Sequence, residues 1–247
     1  MRTLHVIMPM AGEGSRFKKV GIDIPKPLIK ARGVPFFVRA LYGVTDKFNI
    51  SDIKVTCIIQ RKHAIEYNLD KEIEKYVNAN IVTLNKPTRG AVETCLAASP
   101  FINDNDAILI LDCDLEWHCN NYISLISELL KSNSSPLSGM LLSFNSNDSR
   151  YSYALVENDK VIKTAEKNVI SNNALIGAYY FNTSNDFLFA ANKLISENNL
   201  SNVKEYYVSL LYNYLINNGR TVKLFNVDYM RSFGTPEELN LYEQLTI

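Results

Sequence analysis

Residues 8–27 join a glycine turn to a dense array of cations: Met8-Pro-Met10-Ala11-Gly12-Glu-Gly14-Ser15-Arg16-Phe17-Lys18-Lys19, then Pro25-Lys26-Pro27. Gly12 and Gly14 let the backbone turn tightly and bring bare N–H groups up to an anion. Arg16 offers a fork matched to phosphate oxygens, and Lys26 a point charge. The two prolines around Lys26 stiffen its segment, so little entropy is lost when it orders. The chemistry of such a stretch is the holding of a triphosphate. Two other phosphate motifs do not match. A dinucleotide fingerprint needs a third glycine where Phe17 stands, and the Gly-Lys-Ser/Thr of a P-loop is absent. The plain alternative is a solvated basic loop.

A second group of residues has its own chemistry. The apolar run Ala107–Leu111 ends in Asp112-Cys113-Asp114, and the period of a strand puts both carboxylates on one side. Hard carboxylate oxygens suit Mg²⁺ or Mn²⁺, which commonly bridge protein carboxylates to substrate phosphates. The alternative is a solvated strand end carrying helix-capping aspartates. Cys113, His118 and Cys119 match no usual zinc spacing, and Trp117 and His118 either line a pocket or pack.

These residues need elements to position them. Short buried strands are expected at His5–Met8, Lys54–Ile59, Asn80–Leu84 and Ala107–Leu111, and helices at Pro35–Phe48, Ala64–Asn78 and Gly90–Ala98. Such alternation implies a mainly parallel sheet covered on both faces, with ligands collecting beyond the carboxyl ends of the strands. The glycine loop and the acidic turn both follow strands, so they should share one rim. Past residue 133 the pattern shifts to strands joined by turns at Ser138–Phe144, Tyr151–Glu157, Lys160–Thr164 and Ala174–Asn182. Helices are expected at Ser184–Glu197 and Lys204–Asn217, then a strand at Thr221–Val227 and a last helix from Thr235.

With 247 residues, 47% of them hydrophobic, the chain can bury a full core and reads as one domain. Zero net charge and a pI near 6.8 give no reason to expect nucleic acid as a partner. Four cysteines without a CxxC pair suit a reducing compartment. No apolar run approaches the ~18 residues of a membrane span, and the stretch Val6–Ala11, broken by Pro9, is too short for a signal core. The expectation is a cytoplasmic protein that meets small anions and no membrane.

Five segments in order then carry a resemblance: Ala11–Arg16 with Pro25-Lys26-Pro27-Leu28; Thr88-Arg89-Gly90-Ala91; Asp114; Glu166-Lys167 with the strand Ala174–Phe181; and Gly234-Thr235-Pro236-Glu237-Glu238. Over nearly its whole length the chain resembles the sugar-1-phosphate nucleotidyltransferases. The resemblance implies an α/β class, three-layer α/β/α Rossmann-like fold with a mixed, mainly parallel central sheet of the nucleotide-diphospho-sugar transferase type. It implies a nucleotide-binding half, 1–132, and an acceptor-binding half, 133–247. It implies an NTP and a phosphorylated small molecule as partners, Mg²⁺ or Mn²⁺ as cofactor, and attack at the α-phosphate. Met10, Ala11, Gly12, Gly14, Ser15 and Asp112, with the base-reading loop Thr88, Arg89 and Gly90, would hold the nucleotide. Arg16 would bind the β- and γ-phosphates, Lys26 the α-phosphate and Asp114 the metal. Tyr153, Glu166, Lys167, Gly177 and Tyr179 would hold the acceptor. Many relatives carry an aspartate two residues before the closing Gly-Thr-Pro, where this chain has Ser232; Asp228 is the nearest carboxylate that would stand in as a metal ligand. The family texture leans to CTP, and a homo-oligomer is left open. A glycosyltransferase using a nucleotide sugar, and a non-catalytic nucleotide-binding module, are the competing readings.

Overall fold

The computed structural model describes residues 2–132, 135–197 and 205–245. In the first half the chain runs β1 (Leu4–Met10), α1 (Ser15–Lys18), a small hairpin of β2 (Lys30–Ala31) and β3 (Val34–Pro35), α2 (Phe36–Thr45), β4 (Lys54–Gln60), α3 (Arg61–Tyr67), α4 (Leu69–Glu74), β5 (Asn80–Leu84), α5 (Ala91–Leu96) and β6 (Ala107–Leu111). The second half continues through β7 (Leu115–His118), α6 (Asn120–Leu129), β8 (Leu137–Asn145), β9 (Ser152–Glu157), β10 (Lys160–Glu166), β11 (Asn173–Phe181), α7 (Ser184–Ser196), α8 (Leu211–Asn217), β12 (Thr221–Asn226), β13 (Tyr229–Ser232) and α9 (Pro236–Gln244).

Nine strands form one mixed sheet. Its centre, β6-β1-β4-β5, is parallel; β11 then pairs antiparallel with β6, and β8, β9, β10 and β12 extend the sheet beyond it. Both faces are covered: β6 is apolar at every position, and β1 and β4 are buried along nearly their whole length. Along β6, Ala107, Leu109 and Leu111 join the core beneath α2 and α6, while Ile108 and Ile110 join the opposite core beneath α5, α7 and α8. A third, smaller core gathers Phe17, Ile29, Phe36, Phe233, Leu239 and Tyr242, so the closing helix packs against the glycine loop.

The expected strands all form, and most helices do. The helix expected over Ala64–Asn78 is two short helices, because Asn68 adopts φ 50° and turns the chain between them. The helix expected from Lys204 begins at Leu211 after a single 3-10 turn; Lys204 itself lies outside the described residues. Elements that were not expected include the short α1, the β2–β3 hairpin, α6 and the two-stranded ribbon of β7 with β13. Among the described residues no helix is long and apolar enough to cross a membrane, and all four cysteines are free and buried.

Candidate active site

Two adjoining cavities open at the carboxyl ends of β1 and β6. The smaller, ≈ 230 Å³, is lined by Pro9, Met10, Gly12, Lys26, Pro27, Asp112, Cys113 and Asp114. The larger, ≈ 310 Å³, has walls from Arg16, Arg150, Glu166, Lys167, Gly177, Tyr179 and Glu238. Asp112 and Asp114 line both, so they stand where the two cavities meet.

The glycine loop is built from local rules. Gly14, at φ 64°, caps α1 from the left-handed region, and Phe17 on that short helix anchors the loop in the small core. Gln60, at the end of β4, donates to the Ala11 carbonyl at 2.5 Å and so holds the loop from outside. Arg16 donates to the Gly234 carbonyl at 3.3 Å, while Ser15 lies exposed on the first turn. Lys26 donates to Asp114 Oδ2, with each side chain 24% exposed. Burial works against the Lys26 charge, but the Asp114 carboxylate, with Cys113 and Asp112, more than offsets it and raises the lysine pKa. Asp112 is pushed up to about 7, first by burial and then by the neighbouring Asp114 charge.

Gly177 explains how Asp112 fits. The β11 backbone is irregular between Leu175 and Tyr179; the Gly177 carbonyl accepts from Asp112 N at 2.7 Å, and a Cβ on Gly177 would lie 2.2 Å from Asp112 Oδ2. Gly90, at φ 139°, is required for a similar reason: a Cβ there would lie 2.4 Å from Tyr206 N. The expected base-reading loop is internally tied, Thr88 Oγ1 to Thr94 at 2.6 Å and Arg89 to Glu93 at 3.0 Å, and it reaches the larger cavity through Ala91.

Two expected site residues are not brought to the site. Tyr153 is fully buried and donates its hydroxyl to the Asp148 carbonyl at 2.7 Å, away from the cavity; its place on β9 points it inward, whereas Ser152 and Tyr151 face the opening. Asp228 lies at the far end of the β7–β13 ribbon. Its carboxylate accepts from Asn120 N at 2.9 Å at the start of α6, while Asp114 adjoins the other end through Phe233 N, 2.7 Å from the Asp114 carbonyl. Asp228 therefore caps a helix and is not a metal ligand beside Asp114. Trp117 packs in the core and donates to the Ala40 carbonyl at 3.1 Å, and His118 is tied to Asp46.

Sequence reasoning passed over Arg150 and Ser152, which line the larger cavity, and Ser209 behind its wall, and it gave Glu238 no place in the site. Arg150 follows Asp148 on the loop between β8 and β9 and pairs with Glu238 at 2.7 Å. Glu238 Oε2 in turn accepts from Ser232 Oγ at 2.8 Å and from Gly234 N at 2.8 Å, so Ser232 is engaged in closing the α9 capping box. Ser152 and Ser209 both donate to Glu166. A capping box is legible in Thr235-x-x-Glu238; the two serines carry no sequence signal of their own.

The donor set fits a divalent cation that keeps most of its own waters. The Asp114 charge raises the proton affinity of Asp112, a repulsion that a bound cation relieves, and the open cavity on either side leaves room for water and phosphate oxygens. Among the described residues no third His, Cys, Asp or Glu joins them.

Comparisons with known proteins bear on the fold and the family. Comparison with curated proteins finds no match. Among solved structures, a nucleoside-diphosphate-sugar pyrophosphorylase from Vibrio cholerae RC9 aligns with TM-score 0.81 at 24% identity, covering 97% of this chain and 100% of that one. A Bacillus anthracis protein assigned as a glucose-1-phosphate thymidylyltransferase aligns with TM-score 0.75 at 16% identity, covering 99% and 97%. The inositol-1-phosphate CTP transferase of T. maritima aligns with TM-score 0.72 at 13% identity, covering 98% and 92%. The family model described as nucleotidyl transferase matches residues 5–219, and the chain belongs to that family.

Proposed function

We propose that the protein joins an NTP to a sugar phosphate or a similar polar phosphate ester, giving a nucleotide-activated product and pyrophosphate. The observation that carries this reading is the meeting of Lys26 with Asp114 where the glycine-loop cavity opens into the cavity of Glu166 and Lys167. A triphosphate laid along the loop would have its α-phosphorus at that junction, with the acceptor phosphate approaching from the larger cavity. An acceptor phosphate oxygen then bonds to the α-phosphorus as the α–β bridging P–O bond breaks, and pyrophosphate leaves on the far side. The acceptor phosphate is already an anion, so no general base is needed. Lys26 holds charge developing on the α-phosphate, Arg16 holds the departing pyrophosphate, and Lys167 steadies the incoming phosphate. Asp112 and Asp114 would hold Mg²⁺ or Mn²⁺, which when bound neutralises phosphate charge as a Lewis acid.

CTP is the nucleotide we favour, a choice compatible with the CTP transferase among the structural neighbours. Four buried, reduced thiols support a cytoplasmic location, and the reaction class suits the activation of precursors for surface glycans. The glycosyltransferase reading is disfavoured by a loop with more cations than a nucleotide diphosphate requires. The test is pyrophosphate release with four NTPs against a panel of sugar phosphates and polar phosphate esters. Lys26→Ala and Asp114→Ala should each lose about 10²-fold or more in rate; full activity in either variant would sink the assignment.

A further inference from the structure

Glu166 faces the larger cavity with only 8% of its side chain exposed, and its two oxygens have different surroundings. Oε2 accepts from Ser152 Oγ on β9 and, at 3.0 Å, from Ser209 Oγ in the turn before α8. Oε1 has no donor among the described residues: Lys167 Nζ stands 3.9 Å away and donates instead to Tyr207 OH at 2.6 Å. Two hydroxyls fill the lone-pair directions of Oε2, which leaves Oε1 as the oxygen open to a donor in the cavity.

The geometry points to Ser152 and Ser209 as positioning residues that aim a single oxygen, Glu166 Oε1, at the acceptor, so that an acceptor must bring an O–H or N–H donor to be bound. The inference rests on the acceptor-cavity assignment above. It separates hydroxylated or amino phosphate esters from esters whose only other polar group is a quaternary ammonium. Such an ammonium carries charge that would attract Glu166 but no hydrogen to give it. The tyrosine faces that could cage it are already covered, Tyr207 by Lys167 at 4.5 Å and Tyr151 by Arg150 at 4.6 Å.

Calorimetric titration of the whole protein tests this, using glucose 1-phosphate, inositol 1-phosphate, glycerol 3-phosphate and phosphocholine, with and without α,β-methylene analogues of the four nucleotides. The tightest hydroxylated ester should bind on the order of 100-fold more tightly than phosphocholine. Ser152→Ala and Ser209→Ala should each narrow that gap about tenfold with nucleotide affinity unchanged, and Ser209→Thr, which keeps the hydroxyl, should preserve it. Phosphocholine binding as well as the best hydroxylated ester overturns the inference. So does an intact gap in both alanine variants, or an equal loss of nucleotide affinity, which would mean general loosening. If no hydroxylated ester binds, the inference fails whatever pyrophosphate release shows. If the binding pattern holds but no NTP yields pyrophosphate, the transferase reading fails and the inference stands.

Discussion

Asp112 and Asp114 are two residues apart in the chain, but their environments differ, and Asp112 is the one that burial reaches most strongly. Its pKa rises from 3.8 to about 7, so the metal-free folded protein binds a proton there that the unfolded chain has released. Stability from this group is full below about pH 4 and is lost as pH climbs toward 7. Asp112→Asn removes that dependence: its melting temperature should gain on the wild type steadily between pH 4 and 7 without divalent metal, and a flat difference would refute the assignment. Gly177→Ala tests the same contact from the other strand. The added methyl must displace the Asp112 carboxylate or the β11 backbone, and urea unfolding should show a loss of roughly 2 kcal/mol. Much at this scale was legible, because glycine turns, prolines beside a lysine and strand-end aspartates each announce a backbone or charge requirement. Tyr153 and Asp228 show where legibility ended. Which face of β9 looks into the cavity, and which end of a ribbon a carboxylate sits at, depend on pairing register that a single strand does not encode.

The closing element, α9, reaches the glycine loop through packing. Phe233 stacks on Phe36 at 4.9 Å, and Phe36 meets Phe17 edge-on at 5.9 Å, linking the end of β13 to the helix that carries Arg16. Truncating Phe233 to alanine opens a cavity in a core of only seven buried residues and should cost about 3 kcal/mol in denaturant unfolding. It should also weaken nucleotide binding more than acceptor binding, since the loop and not the Glu166 wall loses its support; an unchanged nucleotide KM would show that the loop holds itself. Element reading succeeded best for the long apolar strands and failed for short ones. α6 could have been found, for Tyr122, Ile123, Ile126 and Leu129 recur at helical spacing and are all buried. The β7–β13 ribbon has four residues a side, too few for its alternation to stand out from the acidic turn before it. Asn68 broke the expected α3–α4 helix because asparagine tolerates the left-handed region that ends helices.

At the scale of the molecule the sheet separates two ends. The carboxyl ends of β1 and β6 carry the candidate site, while their amino ends carry a buried polar knot in which His5 Nε2 meets Thr56 Oγ1 at 2.8 Å and Lys54 and His5 flank Asp106 at 3.7 Å each. The parallel order behind this division was readable from strand–helix alternation, but the knot was not: His5 sits within an apolar run, and its partners come from β4 and from the turn before β6. Burial, helped by the nearby Lys54 charge, lowers the His5 pKa from 6.5 to about 4. The folded state therefore refuses a proton that the unfolded chain accepts, so stability from His5 is full above about pH 6.5 and is lost as pH falls toward 4, by about 3 kcal/mol over the window. His5→Gln should cost stability at neutral pH yet flatten the acid side of the unfolding curve. The two ends then run in opposite directions across the same window: relative to wild type, Asp112→Asn becomes more favourable as pH rises and His5→Gln as pH falls. Chemical unfolding of both variants at pH 4.5, 5.5 and 6.5 would show these opposed slopes. Parallel slopes would mean that a single network, and not two separate ends of the sheet, sets the pH response.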